Sequence, residues 1–165
     1  ICRELNVDGV VFGCLTPNGD IDLEANRLLL SHAKGMSVTF HRAFDHCRNP
    51  RQALDDLMTL GFDRVLTSGQ KPTAFEGIPL LCELQRRAGG RIKIMAGCGV
   101  NEQNIACIHK ETGITNFHFS AREPIHSQMK YVNPDVYMGS KDADETTIMV
   151  TTKRRVEDII QALLD

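Results

Sequence analysis

The chain lacks any excess of charge of one sign. Nineteen Lys and Arg stand against 21 Asp and Glu, a net charge of −2 with both signs interspersed. That balance argues against a nucleic-acid partner and gives no attraction to an acidic membrane surface. No apolar run approaches the roughly 20 residues of a membrane-spanning helix, and the opening residues carry no signal-peptide pattern. Six cysteines are present (Cys2, Cys14, Cys47, Cys82, Cys98 and Cys107), yet they form no C-x-x-C pair and no short disulfide framework. They read as reduced thiols of a cytosolic or nuclear protein.

What is there is ordinary globular material. Of 165 residues, 42% are hydrophobic and 24% charged, which suits a single domain over 1–165 with a sizeable core. The basic run Lys153, Arg154 and Arg155 opens a late helix and reads as a solvated face. Ile1 to Leu5 looks like the tail of a helix.

Short β-type runs alternate with amphipathic segments. The strand candidates are 8–13, 37–40, 63–66, 91–95 and 115–119, whose starts lie 29, 26, 28 and 24 residues apart. They are rich in Val, Ile and Phe and too short for helices, as parallel strands buried on both faces should be. Between them, Asp22 is placed to cap a helix stopped by Gly35, and Asn49-Pro50 opens one that ends at Leu60-Gly61. Asn101 opens another as a simple cap. Thr152 caps the last, whose inward stripe is Val156, Ile159, Ile160, Leu163 and Leu164. The segment 123–150 reads as one long irregular loop, a lid or a mobile stretch.

Five βα units fit either a doubly wound sheet or part of a barrel. The first needs a reversal of strand order and usually a Gly-rich first turn. The even period and the chemical residues after successive strands favour a (β/α)8 TIM barrel, class α/β, which takes about 250 residues. The expectation is therefore the C-terminal five βα units of an incomplete barrel, with about three units absent. Its two open strand edges predict poor solubility or association.

In such a barrel, function sits at the carboxyl ends of the strands. The second strand ends in His41, Arg42 and Asp45, which offer a proton-transfer group, an anion clamp and an orienting carboxylate. Arg42 and Asp45 simply pairing over the core is the bland alternative. Thr67, Ser68 and His118 line the same mouth. Gly97, Gly99 and Val100 lead into a helix N-terminus, and Ser120 and Arg122 follow the last strand. If three strands precede, these two loops are the usual phosphate site of barrel enzymes, so a small anion is the expected ligand. A tight turn that needs Gly is the competing reading. Cys14, Cys47 and Cys98 near the mouth are candidate metal ligands, since thiolates favour Cu(I). A buried free cysteine is more often a small hydrophobe.

At these strand ends the sequence resembles the CutC family. The matching blocks are Val38-Thr39-Phe40-His41-Arg42-Ala43-Phe44-Asp45, Leu60-Gly61 with Arg64-Val65-Leu66-Thr67-Ser68-Gly69, Met95-Ala96-Gly97 with Gly99-Val100, and Phe117-His118 with Ser120-Ala121-Arg122. Met129-Lys130, Met138-Gly139 and the tail helix resemble the animal members. The resemblance implies a TIM barrel, cytoplasmic or nuclear location, self-association as a homo-oligomer, and copper homeostasis through Cu(I) binding. It also implies that the cysteines of animal members discussed as copper ligands lie in upstream strands. Two departures stand out: Cys98 where Gly or Ala is common, and Phe119 where some animal members have Cys. The competing reading is a barrel enzyme acting on a small anionic or phosphorylated substrate, with His41 as acid/base, Arg42 and Arg122 as clamp and Gly97–Val100 as cradle.

Overall fold

The computed structural model describes residues 1–137, 139 and 144–164. Met138, part of the Met138-Gly139 piece noted above, and part of the segment 123–150 fall outside those residues.

Five strands, β1 (Gly9–Phe12), β2 (Ser37–Phe40), β3 (Arg64–Thr67), β4 (Lys93–Gly97) and β5 (Asn116–His118), form one parallel sheet in chain order. Every neighbour pair is parallel, with Val11 opposite Thr39, Leu66 opposite Met95 and Gly97 opposite His118. No strand order reverses. This is the pattern of a partial (β/α)8 barrel and excludes the doubly wound alternative.

The helices that return the chain are α1 (Leu23–His32), α2 (Pro50–Leu60), α3 (Ile78–Ala88), α4 (Ile105–Thr112) and α5 (Lys153–Leu164). The expected caps are in place at α1 and α2. Ala25 donates its N–H to Asp22 Oδ1 at 2.9 Å, and Gln52 does so to Asn49 Oδ1 at 3.2 Å. Gly61 closes α2 at φ 87°, a left-handed turn that costs glycine little. At α5, Arg155 N–H reaches the Thr152 hydroxyl at 3.3 Å. Asn101 differs from expectation, because the regular helix starts only at Ile105. Asn101 instead accepts from Gln103 N–H at 3.0 Å, and its own N–H is taken by Asn104 Oδ1 at 3.0 Å.

One face of the sheet carries the core. Val38, Phe40, Val65, Ile94 and Ala96 pack under Leu54, Leu57, Leu81, Leu84, Ile105, Ile108 and Ile159, all buried. The opposite face, which a closed barrel would fill with side chains, borders an open groove of about 500 Å³. Val11, Thr39, Arg64, Leu66, Met95 and His118 are among the residues that line it.

The segment 123–150 is more ordered at its ends than an irregular loop. Residues Arg122–His126 (β6) and Thr147–Thr151 (β7) pair as an antiparallel ribbon, with Ile125 opposite Ile148. Pro124 lacks an N–H and masked the strand in the sequence, yet it is tolerated in a two-stranded ribbon where one edge of each strand is free. Glu123 anchors the ribbon to α5 by accepting from the Thr152 hydroxyl at 2.6 Å and pairing with Arg154.

Candidate functional site

The carboxyl ends of β2 and β3 meet around one carboxylate. After β2 the chain enters a 3-10 helix, Arg42–His46, which swings Asp45 over the end of β3. Its side chain is only 7% exposed. Asp45 Oδ1 accepts from the Thr67 hydroxyl at 2.5 Å and from the N–H groups of Ser68 (3.0 Å) and Gln70 (3.2 Å). Its Oδ2 accepts from Arg42 Nε at 2.7 Å and the Ser68 hydroxyl at 3.1 Å. Thr67 and Ser68 are fully buried. A buried carboxylate needs such partners to remain in place.

Arg42 gains its orientation from this arrangement. Its Nη2 donates to the Ser68 hydroxyl at 3.1 Å. The hydrogen bond to Asp45 raises the guanidinium pKa further above its ordinary value. The side chain is still 44% exposed, so the edge not used by Asp45 and Ser68 faces outward. Cys98 lies near that guanidinium and adds a smaller part to the rise in its pKa. Arg42, Asp45, Thr67 and Ser68 are thus brought together as the sequence implied, and the pairing of Arg42 with Asp45 is also real.

His41 has a different position. Its Nδ1 accepts the N–H of Ala43 at 3.2 Å and so caps the 3-10 helix. In a neutral ring with Nδ1 accepting, the proton sits on Nε2. With Nδ1 engaged, Nε2 is the ring atom of His41 left to take part in proton transfer.

The loop after β4 packs on the loop after β3. Ala74 N–H donates to the Cys98 carbonyl at 2.9 Å and the Cys98 thiol to the Pro72 carbonyl at 3.0 Å. Cys98 holds φ 81°, a backbone region that favours glycine. Gly77 comes so close to Ser68 that a Cβ there would sit 1.8 Å from the Ser68 carbonyl oxygen. Among the described residues, the backbone N–H groups of Cys98, Gly99 and Val100 have no acceptor within the chain. The start of α4 is less available than expected. Glu102 places its carboxylate there, pairs with Arg155 at 2.9 Å, and is held below the usual carboxylate range by its own N–H. Among the described residues the free N–H donors of this region therefore lie in the 98–100 loop and not at the helix N-terminus.

Ser120 and Arg122 sit one strand away, since His118 pairs with Gly97. The Ser120 carbonyl accepts from the Thr151 hydroxyl at 2.8 Å, and Arg122 belongs to the ribbon. His118 points into the groove on the open face of the sheet. Sequence reasoning missed Gln70, which has φ 56° and reaches the Cys47 carbonyl with its amide. Its place beside a Ser-Gly turn was the only hint.

The proposed metal cysteines do not gather. Cys47 is buried under the 3-10 helix, and desolvation pushes its thiol up to about 12, so it stays protonated. Cys14 lies in the loop after β1, and its backbone, not its thiol, is held by Asn26. Among the described residues no three His, Cys, Asp or Glu side chains stand close enough to hold a metal ion. For Cys47, burial as a core residue has removed the thiol from the mouth.

The profile of the CutC family matches residues 1–123. The chain belongs to the CutC family. The family protein CutC of Bacteroides thetaiotaomicron is 57% identical over 164 residues, covering 99% of this chain and 66% of its own length. The Porphyromonas gingivalis relative is 48% identical over 167 residues, 99% of this chain and 67% of its own length. A crystal structure of a provisionally assigned copper homeostasis protein, CutC, from Streptococcus agalactiae is 38% identical with a TM-score of 0.67. That match covers 70% of this chain and 57% of the other. The chain thus spans just under two thirds of the first Bacteroides relatives, at 66% and 65% of their lengths. All these relatives are bacterial, so the resemblance to animal members is corrected to a bacterial one. No helix among the described residues is long and apolar enough to cross a membrane.

Proposed function

We propose that this chain forms an oxyanion-binding barrel mouth within a protein of copper homeostasis. One observation carries the reading. Asp45 and Ser68 fix Arg42 with one guanidinium edge outward, beside a loop whose three successive N–H groups lack acceptors. A fixed guanidinium beside unpaired backbone amides suits phosphate or carboxylate oxygens, because the guanidinium is already oriented before the ligand arrives. Ser120 and Arg122 extend the same rim. The copper role rests on the name given to the Streptococcus relative, with Cu(I) as cargo of the whole protein, cytoplasmic location and self-association as parts of the same proposal.

Titration with inorganic phosphate, followed by amide chemical shifts, tests the reading. The expected result is saturable movement of the Cys98, Gly99 and Val100 resonances, weakened about tenfold or more by Arg42→Ala. Shifts that scatter over surface lysines and survive Arg42→Ala would overturn it. His41 enters as a proton donor to a bound anion, which separates an enzyme from a binding module. A phosphomonoester turned over by the wild type but not by His41→Gln would favour the enzyme.

A further inference from the structure

We infer that this chain holds no stoichiometric Cu(I) on its own cysteines. A soft-metal site needs two or three thiolates or imidazoles converging on one point. All six cysteines and all six histidines belong to the described residues, so every candidate thiolate and imidazole is in view. It is dispersed over the molecule. Cys2 is exposed ahead of β1, Cys107 is exposed on α4, and Cys82 on α3 donates its thiol hydrogen to the Glu111 carbonyl at 3.1 Å. Cys14 follows β1, and Cys47 is sealed in the core.

The mouth itself retains one thiol, and its surroundings oppose a cation. Cys98 faces the permanently charged guanidinium of Arg42 and gives its hydrogen to the Pro72 carbonyl. A copper ion there would have to displace that bond and sit against a like charge. His41 accepts Ala43 N–H at Nδ1, so its neutral ring carries the proton on Nε2, and His109, whose Nδ1 meets the Ile114 carbonyl at 2.8 Å, sits on α4 away from the mouth. The donors that remain lie on different elements and satisfy no three-ligand geometry.

An anaerobic competition with a coloured Cu(I) chelator decides the matter, using the full 165-residue chain both folded and unfolded in urea. The folded chain is expected to draw copper from the chelator at least about tenfold more weakly than the unfolded chain, whose thiols are free to converge. The inference is overturned if the folded chain withdraws one equivalent as strongly as the unfolded one. Loss of that capture in Cys98→Ser, with unchanged circular dichroism, would place the site at the mouth. Phosphate titration is independent of this comparison, so failure of the anion reading and failure of the copper inference are read separately.

Discussion

Asp45 joins Arg42 to Thr67: one carboxylate accepts Arg42 Nε at 2.7 Å and the Thr67 hydroxyl at 2.5 Å, tying the loops after β2 and β3 into one unit. Asp45→Ala would strand the Thr67 hydroxyl and the N–H groups of Ser68 and Gln70 and free Arg42, while the Ser68 hydroxyl keeps the Lys71 carbonyl as acceptor. The expected loss is about 2–4 kcal/mol, read from the urea midpoint, because buried donors lose their acceptor. A shift under about 1 kcal/mol would show that the carboxylate contributes little to the fold.

Gly77→Ala tests the close approach of the loops beneath the site. The added Cβ would meet the Ser68 carbonyl oxygen at 1.8 Å, and that contact is backbone on both sides. The variant should lose at least about 3 kcal/mol or fail to fold, as overpacking against rigid atoms does. Gly35→Ala serves as the control. Its Cβ meets nothing within 4 Å, so only the left-handed φ of 87° is penalised, by about 1 kcal/mol.

Cys47 should make the fold sensitive to alkali. Its folded thiol titrates near 12, above the ordinary value of 9.0, chiefly through desolvation and then the nearby carboxylates of Asp45, Asp20 and Asp56. A group whose folded pKa is raised contributes stability that is complete below the unfolded pKa. That stability is lost as pH climbs from about 9 to about 12. Urea midpoints should fall across this window in the wild type and fall less in Cys47→Ala. Alkylation at pH 8 should label Cys2 and Cys107 first and leave Cys47 unlabelled until the chain unfolds.

The two outer strands predict association. β1 and β5 each have one neighbour in the sheet, and Val11 on β1 is 62% exposed. Such edges recruit other strands. Light scattering should therefore give a mass above the 18.4 kDa of one chain. A monodisperse monomer that melts cooperatively would overturn this.

The fold was legible because parallel strands buried beneath helices leave a regular spacing in the sequence. The Val38-Phe40 run, the Asn49-Pro50 cap and the Gly61 stop each appear where local chemistry put them. The candidate site was legible only as a set of neighbours on strand ends. Arg42, Asp45, Thr67 and Ser68 converge because the 3-10 turn bends the chain back, and nothing in that run announces such a turn. His41 was legible as a proton-transfer group, but its two ring nitrogens are indistinguishable in sequence. One of them is consumed by a backbone N–H two residues on. The ribbon stayed hidden because Pro124 argues against a strand, and the cysteines misled because residue type says nothing of where a thiol points.

The sheet's chain-order pairing has a bearing on synthesis. Each strand's partner is the one made just before it, so no strand waits for a distant segment to emerge from the ribosome. β2 pairs with β1 as soon as α1 can turn back, and every later unit docks onto a finished template. Assembly then runs like a zipper closed from one end, with the most recent strand always the reactive one.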